Sequence, residues 1–203
     1  MVIELQSPSP PVTMLGNHVS KGETTLTLHC HDSTFKKATA LDAEGNPIFR
    51  VEGTKWGTSW SWRRKVFDAI DNRHLFDFRH ESLDFKNRWV VEDTTGRKLG
   101  SLVHKSQLTT NHSAIDATVR TIAGEDVLVI MRPQDGEALT VTVSVGDSTI
   151  IATISKVADN RRILFRGDQD STVWLLRVAA ATDLAMITAL ALCRAEMGHV
   201  WNQ

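Results

Sequence analysis

The chain has 203 residues, of which 41% are apolar and 23% are charged, and its formal net charge at pH 7 is −1. These values exclude a collagen-like chain, a multispanning membrane protein and a wholly disordered chain, and they are typical of a globular protein. A net charge this close to zero produces no overall field that would attract nucleic acid. An anion-binding site would therefore have to depend on a local cluster of basic residues.

The first 23 residues contain three of the five prolines, Pro8, Pro10 and Pro11, among serines. This composition predicts a disordered or extended leader that lies outside the core, followed by a single domain over residues 24–203. The segment lacks the basic start and the apolar stretch of a secretory signal. We therefore expect an intracellular, cytoplasmic protein, with a nuclear location or a peripheral membrane location left open.

From Thr24 onward the sequence consists of short alternating runs separated by Gly, Asp and Asn, a pattern that indicates antiparallel strands joined by tight turns. About a dozen such strands are more than one open, twisted sheet of a small domain usually holds. The predicted strands are TLTLHCH, PIFRVEG, RKVFDAID, HLFDFRH, RWVVED, KLGSLVHK, SAIDATVRT, VLVIMR, ALTVTVSV, STIIATISK, RILFR and TVWLLRV.

The segment from Ala181 to Met197 has almost no polar face. Thr182 or Asp183 can serve as the N-cap of a helix, and the run from Leu184 to Cys193 is apolar except at one threonine. Such a helix must be buried on every side, yet the apolar run spans only about 15 Å, too short to cross a bilayer. We therefore predict a closed antiparallel barrel with this helix along its axis. The alternative, a helix packed on one side of a sandwich, requires a polar stripe that the segment lacks.

The ordered set of segments resembles the LURP-one-related family. It comprises FRVEG, DAIDNRHLFDFRH, NRWVVEDTTGRKLGSLVHK, LTVTVSVGDSTIIATISK, a last strand, and Asp183 with its apolar helix, and it covers about Pro47 to Met197. The resemblance implies a mainly β fold similar to the tubby C-terminal domain and the phospholipid scramblases, with twelve strands around a central hydrophobic helix. It implies no established enzymatic activity. The tubby relatives imply phosphoinositide binding, although none of their lipid-contacting positions can be matched to a residue here. Where the family usually has a glycine, this chain has Asn72, which can adopt the same left-handed backbone.

The basic and aromatic stretch KWGTSWSWRRK, Lys55 to Lys65, is the candidate binding site for an anionic headgroup. Basic side chains form charge-assisted hydrogen bonds to phosphate, and tryptophan suits a membrane interface. The alternative is that the tryptophans pack on the barrel and the arginines are solvated. The candidate residues are Lys55, Trp60, Trp62, Arg63, Arg64 and Lys65.

The motif HCHD places the imidazoles of His29 and His31 on the same face of a strand, and His18 could reach them. Zinc sites need three or four ligands, and the sequence shows no second Cys/His cluster. These residues are therefore only weak metal candidates, solvated histidines are favoured, and we expect no cofactor. The sequence also lacks a P-loop, a dinucleotide fingerprint and a nucleophile elbow.

These observations predict a non-enzymatic binding or scaffold module of the LURP-one-related type, with a phosphoinositide, another anionic phospholipid headgroup or a protein as its partner. The alternative is a hydrolase-like enzyme that uses the barrel rim, with His29 and His31 as its most visible chemistry. A scramblase-like role is a weaker third option because the short helix provides no membrane span. The sequence leaves the oligomeric state open.

Overall fold

A computed structural model describes residues 3–32, 35–53, 63–81, 88–107, 110–135, 139–146, 148–160 and 170–200. Within these residues the fold has twelve antiparallel strands and one helix. They are β1 (Thr24–Cys30), β2 (Lys37–Leu41), β3 (Pro47–Gly53), β4 (Arg64–Asp68), β5 (His74–Glu81), β6 (Arg88–Asp93), β7 (Lys98–Gln107), β8 (Thr110–Arg120), β9 (Asp126–Pro133), β10 (Thr140–Val145), β11 (Thr149–Asp159), β12 (Thr172–Val178) and α1 (Leu184–Val200).

The sheet closes on itself. Each strand pairs with its neighbours in the chain, and β1 also pairs with β12 over its whole length, from Thr24 opposite Val178 to Cys30 opposite Thr172. None of the described strands therefore lies at a sheet edge, the usual site of unwanted strand addition. The predicted fold class, a mainly β closed barrel, is confirmed.

The strands follow the predicted alternation closely. In β1 the side chains of Leu26, Leu28 and Cys30 point inward, and β3, β6 and β12 have the bounds that the pattern predicts. Strand β2 was missed because its inward residues are Ala38 and Ala40, whose small side chains give a weak hydrophobic signal. The predicted strand RILFR lies outside the described residues.

Helix α1 is buried on every side from Ala185 to Glu196. All residues from Ala185 to Glu196 are buried, and they belong to the same core as the inward-facing strand residues. The prediction of a helix enclosed by the barrel is therefore confirmed, although the helix extends three residues beyond the predicted end at Met197. Within the described residues, no helix is both long enough and apolar enough to cross a membrane.

Residues of the leader close the end of the barrel where α1 begins. The carboxylate of Asp183, fully buried at 0% exposure, accepts hydrogen bonds from the backbone amides of Ala185 (2.9 Å) and Met186 (3.3 Å) and so caps the helix. Its other oxygen accepts hydrogen bonds from the amides of Met14 (2.8 Å), Leu15 (2.7 Å) and Gly16 (3.4 Å).

The expectation that the leader lies outside the core is wrong for Val12 and Met14, which are both buried within it. Val12 also forms a parallel bridge with Thr182. The composition of residues 1–23 suggested disorder. A short stretch of sequence cannot show that the distant carboxylate of Asp183 accepts hydrogen bonds from its backbone amides.

Asn72 tests one expectation from the sequence, and the two cysteines have similar surroundings. Asn72 has φ of 58°, so it adopts the left-handed backbone predicted for this turn. Cys30 and Cys193 are both free and buried. Burial raises the pKa of the Cys30 thiol to about 12 and raises that of Cys193 as well.

Candidate functional site

The candidate stretch from Lys55 to Lys65 is only partly described. Lys55, Trp60 and Trp62 lie outside the described residues, whereas Arg63, Arg64 and Lys65 lie within them. The three described side chains have different surroundings and do not converge on one point.

Arg64 points into the barrel. It is the first residue of β4, whose alternation buries Arg64, Val66 and Asp68, and it is only 1% exposed. Its Nε donates a hydrogen bond to the carbonyl of Phe35 (2.6 Å), and its Nη2 donates to Oε1 of Glu196 on α1 (2.7 Å). Charge reversal at Arg64 would therefore test folding before it tested ligand binding.

Glu196 is the helix partner of this buried pair. Its burial raises the pKa of the carboxyl to about 7, although the charge and the hydrogen bond of Arg64 act in the opposite direction. Its Oε2 has no hydrogen-bond partner among the described residues. The pair thus joins the axial helix to the barrel wall at the start of β4.

Arg63 is held by carboxylates on the outer face. Its guanidinium pairs with Asp77 of β5 and with Glu92 of β6, the latter at 3.2 Å. Arg79 also binds Glu92 (2.6 Å), and this hydrogen bond holds the pKa of Glu92 below its usual value despite partial burial. The positive charge of Arg63 is therefore already matched within the protein.

Lys65 faces outward and is exposed. It stands opposite Glu52 of β3, and Glu52 stands opposite Lys37 of β2. Directly after β1, the backbone amide of His31 donates to the carbonyl of Lys37 (2.9 Å). Strand register therefore places His31, Lys37, Glu52 and Lys65 in one row across the outer face of the barrel.

A groove of about 900 Å³ lies beside this row. It is bounded by the connection from β1 to β2 and by the adjoining end of β3, and its charged or titratable lining residues are His31, Asp32, Lys36, Lys37, Arg50 and Glu52. We call this feature the β1–β3 groove.

The carboxylates of the β1–β3 groove have partners within the protein. Asp32 accepts hydrogen bonds from the backbone amides of Lys36 (3.2 Å) and Lys37 (2.7 Å), and Glu52 pairs with Arg50. The ammonium groups of Lys36 and Lys37 are exposed and form no ion pair with any described residue. The groove therefore has anchored carboxylates beside lysines that can bind a ligand.

Gly53 fixes the position of Lys36. A Cβ atom at Gly53 would lie 2.8 Å from both Cβ and Cγ of Lys36, and the amide of Gly53 donates to the carbonyl of Lys36 (2.5 Å). Only glycine allows the end of β3 to pass this close to the lysine.

The two histidines of HCHD share one carboxylate. Nδ1 of His29 lies 2.5 Å from one oxygen of Asp170, and Nδ1 of His31 lies 2.6 Å from the other. Burial acts to raise the pKa of Asp170, but the hydrogen bonds with the imidazoles outweigh it and lower the pKa. The described residues include no group of three or more His, Cys, Asp or Glu side chains arranged to hold a metal ion.

The expectation that His18 could reach this pair is wrong. Its Nε2 lies 3.1 Å from Asp68, at the opposite end of β4 from Arg64, and its ring packs edge-on against Phe49. The leader carries His18 to the barrel end that holds the start of α1, whereas His31 lies at the groove.

Comparison with known families identifies the relatives of this barrel. A family model described as LURP-one-related matches residues 24–195. The chain belongs to the LURP-one-related family. An X-ray structure of a protein from Arabidopsis thaliana is similar, with a TM-score of 0.59 and 14% sequence identity over 89% of this chain and 94% of that chain. At this identity the similarity supports the fold alone. No curated protein matches the chain.

Membership of the LURP-one-related family implies a tubby-like barrel, but the groove residues come from the geometry alone. The sequence analysis did not predict that Lys36, Lys37 and Asp170 belong to one surface. The adjacent pair Lys36-Lys37 was a visible signal, yet only the strand register shows that it lies in the same region as Lys65.

Proposed function

We propose that this LURP-one-related chain is a binding module whose ligand is an anionic phospholipid headgroup, held at the β1–β3 groove. The observation that carries the proposal is the set of exposed lysines Lys36, Lys37 and Lys65, which form no ion pair with any residue in the described ranges. They gather on one part of a chain whose net charge is −1.

The charge balance of this surface favours an anion. The groove lining has three cationic side chains, Lys36, Lys37 and Arg50, and two carboxylates, those of Asp32 and Glu52, which are already engaged. Ammonium groups form charge-assisted hydrogen bonds to phosphate oxygens. Near a negatively charged bilayer each lysine contributes about 1 kcal/mol, so the three lysines together contribute about 3 kcal/mol.

The undescribed part of the candidate stretch belongs to the same proposal. It follows Gly53, which lines the groove, and precedes Arg63, and Gly53 pairs with Arg64 in register. The described residues on either side of this segment are therefore close together in the sheet. We propose that Lys55, Trp60 and Trp62 also contribute to headgroup binding, because lysine binds phosphate and tryptophan favours the membrane interface. Arg64 is excluded as a ligand contact because it is buried.

Vesicle sedimentation tests the proposal. The full chain is mixed with phosphatidylcholine vesicles, with and without phosphatidylserine, over a range of salt concentrations. The double variant Lys36→Glu/Lys37→Glu is compared with the control Lys21→Glu/Lys98→Glu, which reverses two exposed lysines outside the groove. We expect salt-sensitive binding to the anionic vesicles, and about thirtyfold weaker binding for the groove variant than for the control.

The other outcomes have distinct meanings. Equal losses in the two double variants would reject the groove as the site. Absence of binding to anionic vesicles would reject the headgroup proposal and favour a protein partner. Competition by a soluble inositol phosphate distinguishes recognition of a headgroup from attraction to the charged membrane surface.

A further inference from the structure

The connection between β1 and β2 carries Lys36, leads directly into Lys37 at the start of β2, and contains a residue in an unfavourable backbone conformation. Phe35 has φ of 53°, in the left-handed region that bulky side chains rarely adopt. Its side chain is almost completely buried, at 1% exposure. Such a conformation persists only where the surrounding structure enforces it. Because Lys36 follows directly, the backbone at Phe35 sets the direction in which both lysines leave the core.

Arg64 supplies a contact that holds this residue. Its Nε donates to the carbonyl of Phe35 (2.6 Å), while its Nη2 donates to Glu196 on the axial helix (2.7 Å). The guanidinium is planar and presents its donors in a fixed arrangement, so one side chain can bind both acceptors at once. One buried group therefore joins the helix to the segment that bears Lys36 and Lys37.

We propose that Arg64 is a positioning residue for the β1–β3 groove, fixed by Glu196 and acting on Lys36 and Lys37 through the carbonyl of Phe35. Arg64 touches no ligand in this arrangement. The inference rests on the proposed function for its binding readout, but the contact itself can be tested without a ligand.

Three variants separate positioning from general stability. Arg64→Lys retains the positive charge, but a single ammonium group cannot reproduce the two divergent hydrogen bonds of the guanidinium. Glu196→Gln retains a carbonyl oxygen that accepts from Arg64. Val143→Ala removes buried methyl groups from β10 and serves as a control for lost stability away from the groove. All are measured at a temperature at which each variant is fully folded.

The first readout is binding to vesicles that contain phosphatidylserine. We expect Arg64→Lys to bind about tenfold more weakly than the unmodified chain, whereas Glu196→Gln and Val143→Ala bind within about twofold of it. Affinity of Arg64→Lys equal to that of Val143→Ala would overturn the proposal. An equal loss of affinity in Arg64→Lys and Glu196→Gln would also overturn the proposal. In that case the carbonyl oxygen that Glu196→Gln retains as an acceptor for Arg64 would make no difference to binding.

The second readout is hydrogen exchange of the backbone amides of Lys37 and Gly53, which are bonded to Asp32 and to the Lys36 carbonyl. In Arg64→Lys we expect both amides to exchange about tenfold faster than in Val143→Ala, because the segment opens locally more often. Equal exchange would overturn the inference. If the unmodified chain binds no vesicles, the proposed function fails, and the exchange experiment still decides whether Arg64 holds this segment.

Discussion

Asp183 provides the sharpest test of how the barrel is closed, because its two carboxylate oxygens serve different partners. One oxygen caps α1 through the amides of Ala185 and Met186, and the other binds the leader amides of Met14, Leu15 and Gly16. If capping were its only role, replacement by asparagine would change little, since asparagine and aspartate are equally good N-caps. If Asp183 also anchors the leader, asparagine cannot replace it in that role. The side-chain NH2 group of asparagine is a hydrogen-bond donor and would face the backbone N–H donors of the leader.

The expected magnitudes follow from these contacts. Loss of the cap costs about 1 kcal/mol. The two short bonds to Met14 and Leu15 are made to a charged acceptor, and each contributes about 1.5 kcal/mol. We therefore expect Asp183→Ala to lower the free energy of unfolding by about 4 kcal/mol, and Asp183→Asn, which keeps the cap, to lower it by about 3 kcal/mol.

Urea denaturation, followed by circular dichroism, measures these differences, and limited proteolysis within residues 1–23 reports whether the leader is released. Asp126→Asn, at the exposed start of β9, is a matched control for the chemical change. A free energy of unfolding for Asp183→Asn within about 0.5 kcal/mol of that of the unmodified chain would refute the anchoring role, because this is the range of ordinary surface substitutions.

Three further predictions concern the core, the pH dependence and the groove. Leu190→Asp places an unpaired charge on the barrel axis and should abolish the folded circular dichroism spectrum, whereas Leu190→Met should cost less than about 1.5 kcal/mol; a folded aspartate variant would contradict the enclosed helix. Burial raises the pKa of Glu196 from 4.5 to about 7, so its contribution to stability is complete below pH 4.5 and is lost as the pH rises through about 7. Denaturation at several pH values should show this loss, and Glu196→Gln should remove it; an unchanged profile would contradict the assignment. Gly53→Ala should weaken vesicle binding because the new methyl group meets Lys36, whereas Gly22→Ala, in open space, should not; equal affinities would show that the lysine moves aside without consequence.

The sequence predicted the architecture because two local patterns had few physical solutions. Strand periodicity marked most of the sheet, and the apolar segment that became α1 needed burial on every side but was too short for a bilayer. A closed barrel satisfies both requirements. The pattern failed at β2, because its buried residues Ala38 and Ala40 have small side chains and form no strong apolar run.

The candidate site was predictable only in its neighbourhood. Neighbouring residues of the basic stretch have opposite surroundings: Arg64 is enclosed with Glu196, a residue 132 positions away, whereas Lys65 faces solvent. The pairing of His29 and His31 with Asp170 likewise joins residues from the two halves of the chain. Clusters of charged residues can be recognised in the sequence, but the distant residues that neutralise their charges cannot.

The amino-acid sequence by itself determined that this chain forms a mainly β barrel around its last helix, since hydrophobic periodicity and segment length are local properties. Only the tertiary structure decided that the leader closes one end of the barrel through Asp183, and that Lys36, Lys37 and Lys65 share a surface at the other end. Both arrangements depend on hydrogen bonds and strand register between distant segments. The closed barrel determines these hydrogen bonds and this register, and no short stretch of the sequence contains both partners.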